Sequence, residues 1–158
     1  MSYIAHKQFE TAVLFIIFKR LDTTKNVLEV IKKVKPSKLY IAADGPRDFV
    51  HGEKEKVEKV RDYVISNIDW PCNVKTLFRE KNLGCGKSVS EAITWFFNNE
   101  NEGIILEDDI VPSLSFFRYC EDLLIKYKND KRIWHISGFN CQNGIKRGDG
   151  DYYFSAYG

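Results

Sequence analysis

Residues 12–18 read Ala12-Val13-Leu14-Phe15-Ile16-Ile17-Phe18. The run is apolar without a break, of strand length, and rich in β-branched and aromatic side chains. A strand with one wet face alternates polar and apolar residues. A strand with no polar position is covered on both faces, as in a parallel sheet held between layers of helices. The rest of the chain bears on whether such a sheet can be assembled.

Downstream, Asp22 or a following threonine can cap a helix whose apolar positions are Val27, Leu28, Ile31 and Val34, and Pro36 ends it. Residues 38–43 form a second strand. It runs into Asp44-Gly45-Pro46-Arg47, a turn carrying one acid and one base. Residues 51–69 are highly charged, with Val57, Val60, Val64 and Ile68 at helical spacing, so the Glu/Lys-rich face is expected to be solvated. Residues 72–78 read as a third strand, and Arg79 to Gly86 as the loop after it. Ser88-Val89-Ser90-Glu91 fits a capping box, opening a helix with Val89, Ala92, Ile93, Phe96 and Phe97 on one face. Residues 103–106 are a fourth strand.

After Pro112, Ser113 is a suitable cap for a helix with an apolar stripe of Phe116, Phe117, Cys120, Leu123, Leu124 and Tyr127. Residues 133–137 read as a short fifth strand, with Trp134 in the core and His135 a satisfied core histidine. Residues 138–144 are a turn-rich loop, and residues 151–155 a last strand. Strands alternating with amphipathic helices predict an α/β fold, a mostly parallel sheet flanked by helices, as one domain over residues 1–158. Ligands of such sheets bind beyond the carboxyl ends of the strands.

Composition narrows the function classes. The formal net charge of +2 over 158 residues argues against nucleic acid or an anionic membrane surface as partner, so anion specificity would have to be local. The longest apolar run near the start is far shorter than the ~20 residues of a membrane span, so no transmembrane segment is expected. Cys72, Cys85, Cys120 and Cys141 match no zinc spacing, and no signal peptide is legible, so reduced thiols and a cytoplasmic location are expected.

The chemistry concentrates after the fourth strand, at Gly103-Ile104-Ile105-Leu106-Glu107-Asp108-Asp109-Ile110-Val111-Pro112. Three adjacent carboxylates repel one another and need a positive partner. Carboxylate oxygens suit Mg²⁺ or Mn²⁺. In extended backbone Glu107 and Asp109 share one face and Asp108 takes the other. Arg20, Asp44 and Arg79 fall at other strand ends, on the same edge of the sheet. An acid, two bases and a carboxylate group suit an anionic ligand with a polar ring system.

Two enzyme classes use such an edge. Gly86-Lys87-Ser88 before a helix invites a nucleoside-triphosphatase reading, but Lys81 stands where a phosphate loop requires its first glycine. The other class is transfer from nucleotide-diphosphate sugars. Leu106-Glu107-Asp108-Asp109-Ile110-Val111-Pro112-Ser113, with Ser115-Phe116-Phe117, resembles the metal-binding region of GT-A fold glycosyltransferases. It is closest in pattern to the N-acetylglucosaminyltransferase I family and its bacterial relatives. Asp130, Trp134, Ser137, Gly138-Phe139-Asn140 and Asn143-Gly144 resemble the segment that follows in that family. Upstream, Ala42-Ala43-Asp44-Gly45-Pro46-Arg47 resembles its second-strand turn, and Asn82-Leu83-Gly84 resembles the Asn-x-Gly turn common in sugar-nucleotide transferases.

The resemblance implies a UDP-sugar as ligand, with Mn²⁺ or Mg²⁺ held directly by Asp109. It implies that Asp108 faces the ribose or the metal's waters, that Glu107 contacts the sugar, and that Asp44 accepts a hydrogen bond from uracil with Arg20 near the base. Arg79 as a nucleotide contact follows from its strand-end position alone. The family continues into an acceptor-binding half that supplies the catalytic base. None is legible here, which implies a fragment or donor-binding domain with the base outside this chain, an unknown acceptor hydroxyl, and self-association through exposed apolar surface.

Three rivals stay open. They are a binding-only nucleotide-sugar module, the triphosphatase, and a nucleotidyltransferase, although Phe18-Lys19-Arg20-Leu21-Asp22 lacks the glycine-rich loop of the last.

Overall fold

The computed structural model describes residues 8–138, 149–150 and 152–154. Four strands, β1 (Val13–Ile17), β2 (Lys38–Ala43), β3 (Asn73–Phe78) and β4 (Ile104–Glu107), form one all-parallel sheet in the order β3-β2-β1-β4. Four helices alternate with them: α1 (Leu21–Val34), α2 (Glu53–Ser66), α3 (Cys85–Phe97) and α4 (Leu114–Tyr127). The α/β class and the parallel sheet are as the sequence predicts.

The unbroken apolar run of β1 follows from its central place. Val13, Phe15 and Ile17 face one way, onto Val27, Leu28 and Ile31 of α1, Val60 and Val64 of α2, and Phe117 and Cys120 of α4. Leu14 faces the other way, onto Ala92 and Phe96 of α3, beside Tyr40 and Ala42. Each such side chain, fully buried, contributes roughly 1.5–3 kcal/mol. Alternation in β1 therefore separates two apolar layers and not core from water.

The order of the strands matters for function. From β1 the chain moves through β2 to the edge strand β3. It then crosses by α3, on the opposite face, to β4 on the far side of β1. The direction of winding reverses between β1 and β4. At such a switch point the loops leaving the two strands diverge and open a crevice at their carboxyl ends. The pairing Ile16↔Glu107 brings the exit of β4 level with the exit of β1.

Several local expectations need correction. Helix α1 begins at Leu21 with Arg20 as N-cap and no side-chain cap, so Asp22 lies inside the first turn, where it complements the helix dipole. Helix α3 begins at Cys85, ahead of the expected capping box, with Gly84 at φ 82° before it. Ser88 is instead a buried residue of the second turn. Ser113 does cap α4, accepting the Phe116 N–H at 3.3 Å.

Residues 133–138 are irregular and form no fifth strand. Trp134 is 92% exposed and His135 is also exposed, so neither belongs to the core. Tyr152–Phe154 is likewise not a strand, and the other residues of the expected last strand and of the 138–144 loop, Gly138 apart, lie outside the described residues. Among the described residues no helix is long and apolar enough to cross a membrane.

Candidate functional site

Arg20, Asp108 and Asp109 meet beyond the carboxyl ends of β1 and β4. Asp108 follows the last residue of β4 and is only 3% exposed. A carboxylate there must be satisfied by neighbours. It accepts the Phe18 N–H at 3.2 Å and the Arg20 guanidinium, Nη2 to Oδ1, at 2.5 Å. The same guanidinium reaches Asp109, Nη1 to Oδ2, at 2.9 Å. One planar fork thus bridges two consecutive carboxylates, a geometry that lysine cannot reproduce. The hydrogen bond to Asp108, with the charges of both acids, raises the Arg20 pKa above its ordinary value.

Arg20 is fixed through its backbone. Its carbonyl accepts the Thr24 N–H at 3.1 Å and the Thr24 hydroxyl at 2.6 Å, and Thr24 is wholly buried. The Asp109 side chain is 41% exposed, and Glu107 is exposed as well. The extended backbone expected here stops at Glu107: Asp108 and Asp109 lie in a turn closed by the Ile110 N–H on the Glu107 carbonyl, which buries Asp108 and leaves Glu107 and Asp109 exposed without placing those two on one strand face.

Asp44 has a different surrounding. It is buried at the end of β2. Its carboxylate accepts the N–H groups of Gly45, Leu83 and Gly84 in four contacts of 2.9–3.2 Å. Three N–H donors engage both oxygens, with the Leu83 N–H shared between them. Asp44 thus braces the loop that feeds α3 and places a negative charge at that helix's N-terminus. Asn82 completes the brace, donating to the Gly45 carbonyl at 2.8 Å and accepting the Gly84 N–H at 3.1 Å. Gly45 is required by close approach, since a Cβ there would lie 2.4 Å from the Lys81 carbonyl carbon.

Arg79, at the end of β3, pairs with Glu91 of α3 at 2.7 Å. It is three strand positions from β4, about 14 Å at ordinary strand spacing, so the fold does not join it to the acidic group. Lys87 is exposed on α3 and approaches Glu91 at 3.8 Å.

Two charged residues of the same edge escaped the sequence reading. Glu53 opens α2 and is 1% exposed, although it comes from the segment expected to be a solvated face. It accepts Lys19 Nζ at 2.5 Å, the Arg47 backbone N–H and Nε at 2.9 Å, and Arg47 Nη2 at 2.6 Å. Arg47's hydrogen bonds, foremost, hold the Glu53 carboxyl far below the usual carboxylate range. Arg61 of α2 donates Nη2 to the carbonyls of Asp44 at 3.0 Å and Arg79 at 2.7 Å, and burial lowers its pKa. Only the placement of Glu53 as first helical residue after Gly52 hinted at this. Together the two tie the exits of β1, β2 and β3 into one rigid edge.

Among the described residues no three His, Cys, Asp or Glu side chains gather into a ready-made metal cage. The donor set at the switch point is of another kind. Asp109 is an accessible carboxylate with a second exposed acid two residues before it. A single accessible carboxylate such as Asp109 can hold a hard divalent cation that phosphate oxygens complete, as in many Mg²⁺ sites. Burial pushes the Cys120 thiol up to about 11 and raises that of Cys72, which disfavours the thiolate form of both.

No protein-family model, curated protein or solved structure matches this chain.

Proposed function

We propose that this chain is the donor-binding part of a metal-dependent glycosyltransferase, taking a UDP-linked sugar for transfer to an acceptor hydroxyl. The observation that carries the reading is the place of Asp109. An accessible carboxylate, with a guanidinium beside it, stands at the switch point of a parallel sheet, where such folds bind nucleotides.

Asp109 would hold Mn²⁺ or Mg²⁺, with Glu107 exposed beside it for the sugar. When bound, the cation supplies charge neutralisation for the departing nucleoside diphosphate. Asp108 holds Arg20 in place. Arg20 offers a cation to the ligand's anionic part and keeps the carboxylates from repelling one another. Asp44, with its oxygens engaged by backbone N–H groups, braces the neighbouring loop. The general base is not assigned to any residue of this chain.

A thermal-shift panel of UDP, GDP, CMP and ATP, with and without Mn²⁺, tests the reading. Stabilisation by UDP that needs Mn²⁺ and disappears in Asp109→Ala supports it. A response to ATP alone, lost in Lys87→Ala, points to the triphosphatase instead.

A further inference from the structure

Arg20 holds the two carboxylates unequally. Its Nη2 contact is to Asp108, whose side chain is 5% exposed, and its Nη1 contact is to Asp109, whose side chain is 41% exposed. Exposed ion pairs are weak and easily exchanged, whereas breaking a buried pair strands a charge away from water. The fork is therefore anchored at one end and releasable at the other.

We infer that Arg20 is a resident counter-ion latch. It occupies the open carboxylate of Asp109 until a divalent cation takes that carboxylate, and the Nη1 arm so released then donates to the anionic ligand brought by the cation. The inference rests on the metal reading of Asp109 and adds a regulation to it. Charge supports it. Asp108, Asp109 and Arg20 together carry −1, so the site tolerates a cation, but a guanidinium 2.9 Å from the ligating carboxylate opposes that cation's arrival. Once an anionic ligand is present, the same guanidinium becomes favourable. Cation and nucleoside diphosphate should then bind with positive coupling that runs through Arg20. The backbone of Arg20, pinned by Thr24, stays in place, so only the outer part of the side chain has to turn.

The test is a Mn²⁺ titration of the whole chain, read as loss of the free-ion electron paramagnetic resonance signal, for wild type, Arg20→Lys, Arg20→Met and Asp109→Asn. A single ammonium can neutralise Asp108 but cannot bridge both acids. Arg20→Lys should therefore stay folded and bind Mn²⁺ roughly fivefold more tightly than wild type, the scale of an exposed ion pair. Arg20→Met should tighten binding at least as much where it folds, and Asp109→Asn should abolish it. If wild type binds through Asp109 but neither Arg20 variant binds more tightly, the latch is overturned and the metal reading stands. If no protein binds Mn²⁺ in an Asp109-dependent way, both fall.

Discussion

Arg20, at the exit of β1, lies 2.9 Å from Asp109, beyond the exit of β4, while its other nitrogen lies 2.5 Å from Asp108. The two acids are neighbours in sequence but have different tasks. Asp108 is buried and structural; Asp109 is open and available.

That division can be measured with paired substitutions. Asp108→Asn removes the charge that faces Arg20 inside the protein and should cost about 1.5–3 kcal/mol of unfolding free energy. Asp109→Asn breaks only an exposed contact and should stay within about 1 kcal/mol of wild type. Urea denaturation separates the two, and equal losses would contradict the assignment.

Glu53 predicts an acid dependence of stability. Its carboxyl is held far below the ordinary 4.5, chiefly by Arg47's hydrogen bonds. A depressed carboxyl contributes stability that is fully present above its unfolded pKa and is lost as pH falls toward the folded value. Wild type should weaken steadily below about pH 5. Glu53→Gln should be less stable at pH 7 by about 1–3 kcal/mol but flatter in acid. Urea midpoints between pH 3 and pH 7 report both, and parallel curves would refute the role given to Glu53.

Much of this fold was legible because its central strands, β1 and β2, are buried on both faces. Unbroken apolar runs marked β1 and β4, and helical spacing of Val27, Leu28 and Ile31 or of Phe117, Cys120 and Leu123 marked the helices. Legibility stopped where the deciding partner is distant in sequence. The start of α3 is set by Asp44, about forty positions away, so the nearby Ser88-Val89-Ser90-Glu91 pattern misled. Glu53 looked like one more surface acid, because Lys19 and Arg47 reach it only in the folded protein. The segment Ile133–Ile136 looked like a strand, yet its half-buried residues, Ile133 and Ile136, are spaced by three and cannot share one face of a pleated strand. At the candidate site, the carboxylates and Arg20 were readable singly. Their bridging depends on β1 and β4 being neighbours, which no local pattern specifies.

The close approach of two loops gives a further check. Gly45→Ala would drive a methyl to 2.4 Å from the Lys81 backbone and should cost about 1–3 kcal/mol. It should also speed amide exchange at Leu83 and Gly84, whose N–H groups rest on Asp44. Gly86→Ala, in α3 with open space around it, should be neutral or stabilising by up to about 1 kcal/mol. Hydrogen exchange and thermal melts compare the pair, and similar behaviour of the two variants would count against the bracing role of Asp44.

The central claim is that Asp109 joins a divalent cation to a nucleoside diphosphate at the β1–β4 switch point. Isothermal titration of UDP into the protein, with and without Mn²⁺, and into Asp109→Asn with Mn²⁺, tests it most directly. Wild type should bind UDP with Mn²⁺, and binding should be at least tenfold weaker when the metal or the Asp109 carboxylate is removed. UDP binding that ignores both, or no UDP binding at all with Mn²⁺ present, would contradict it.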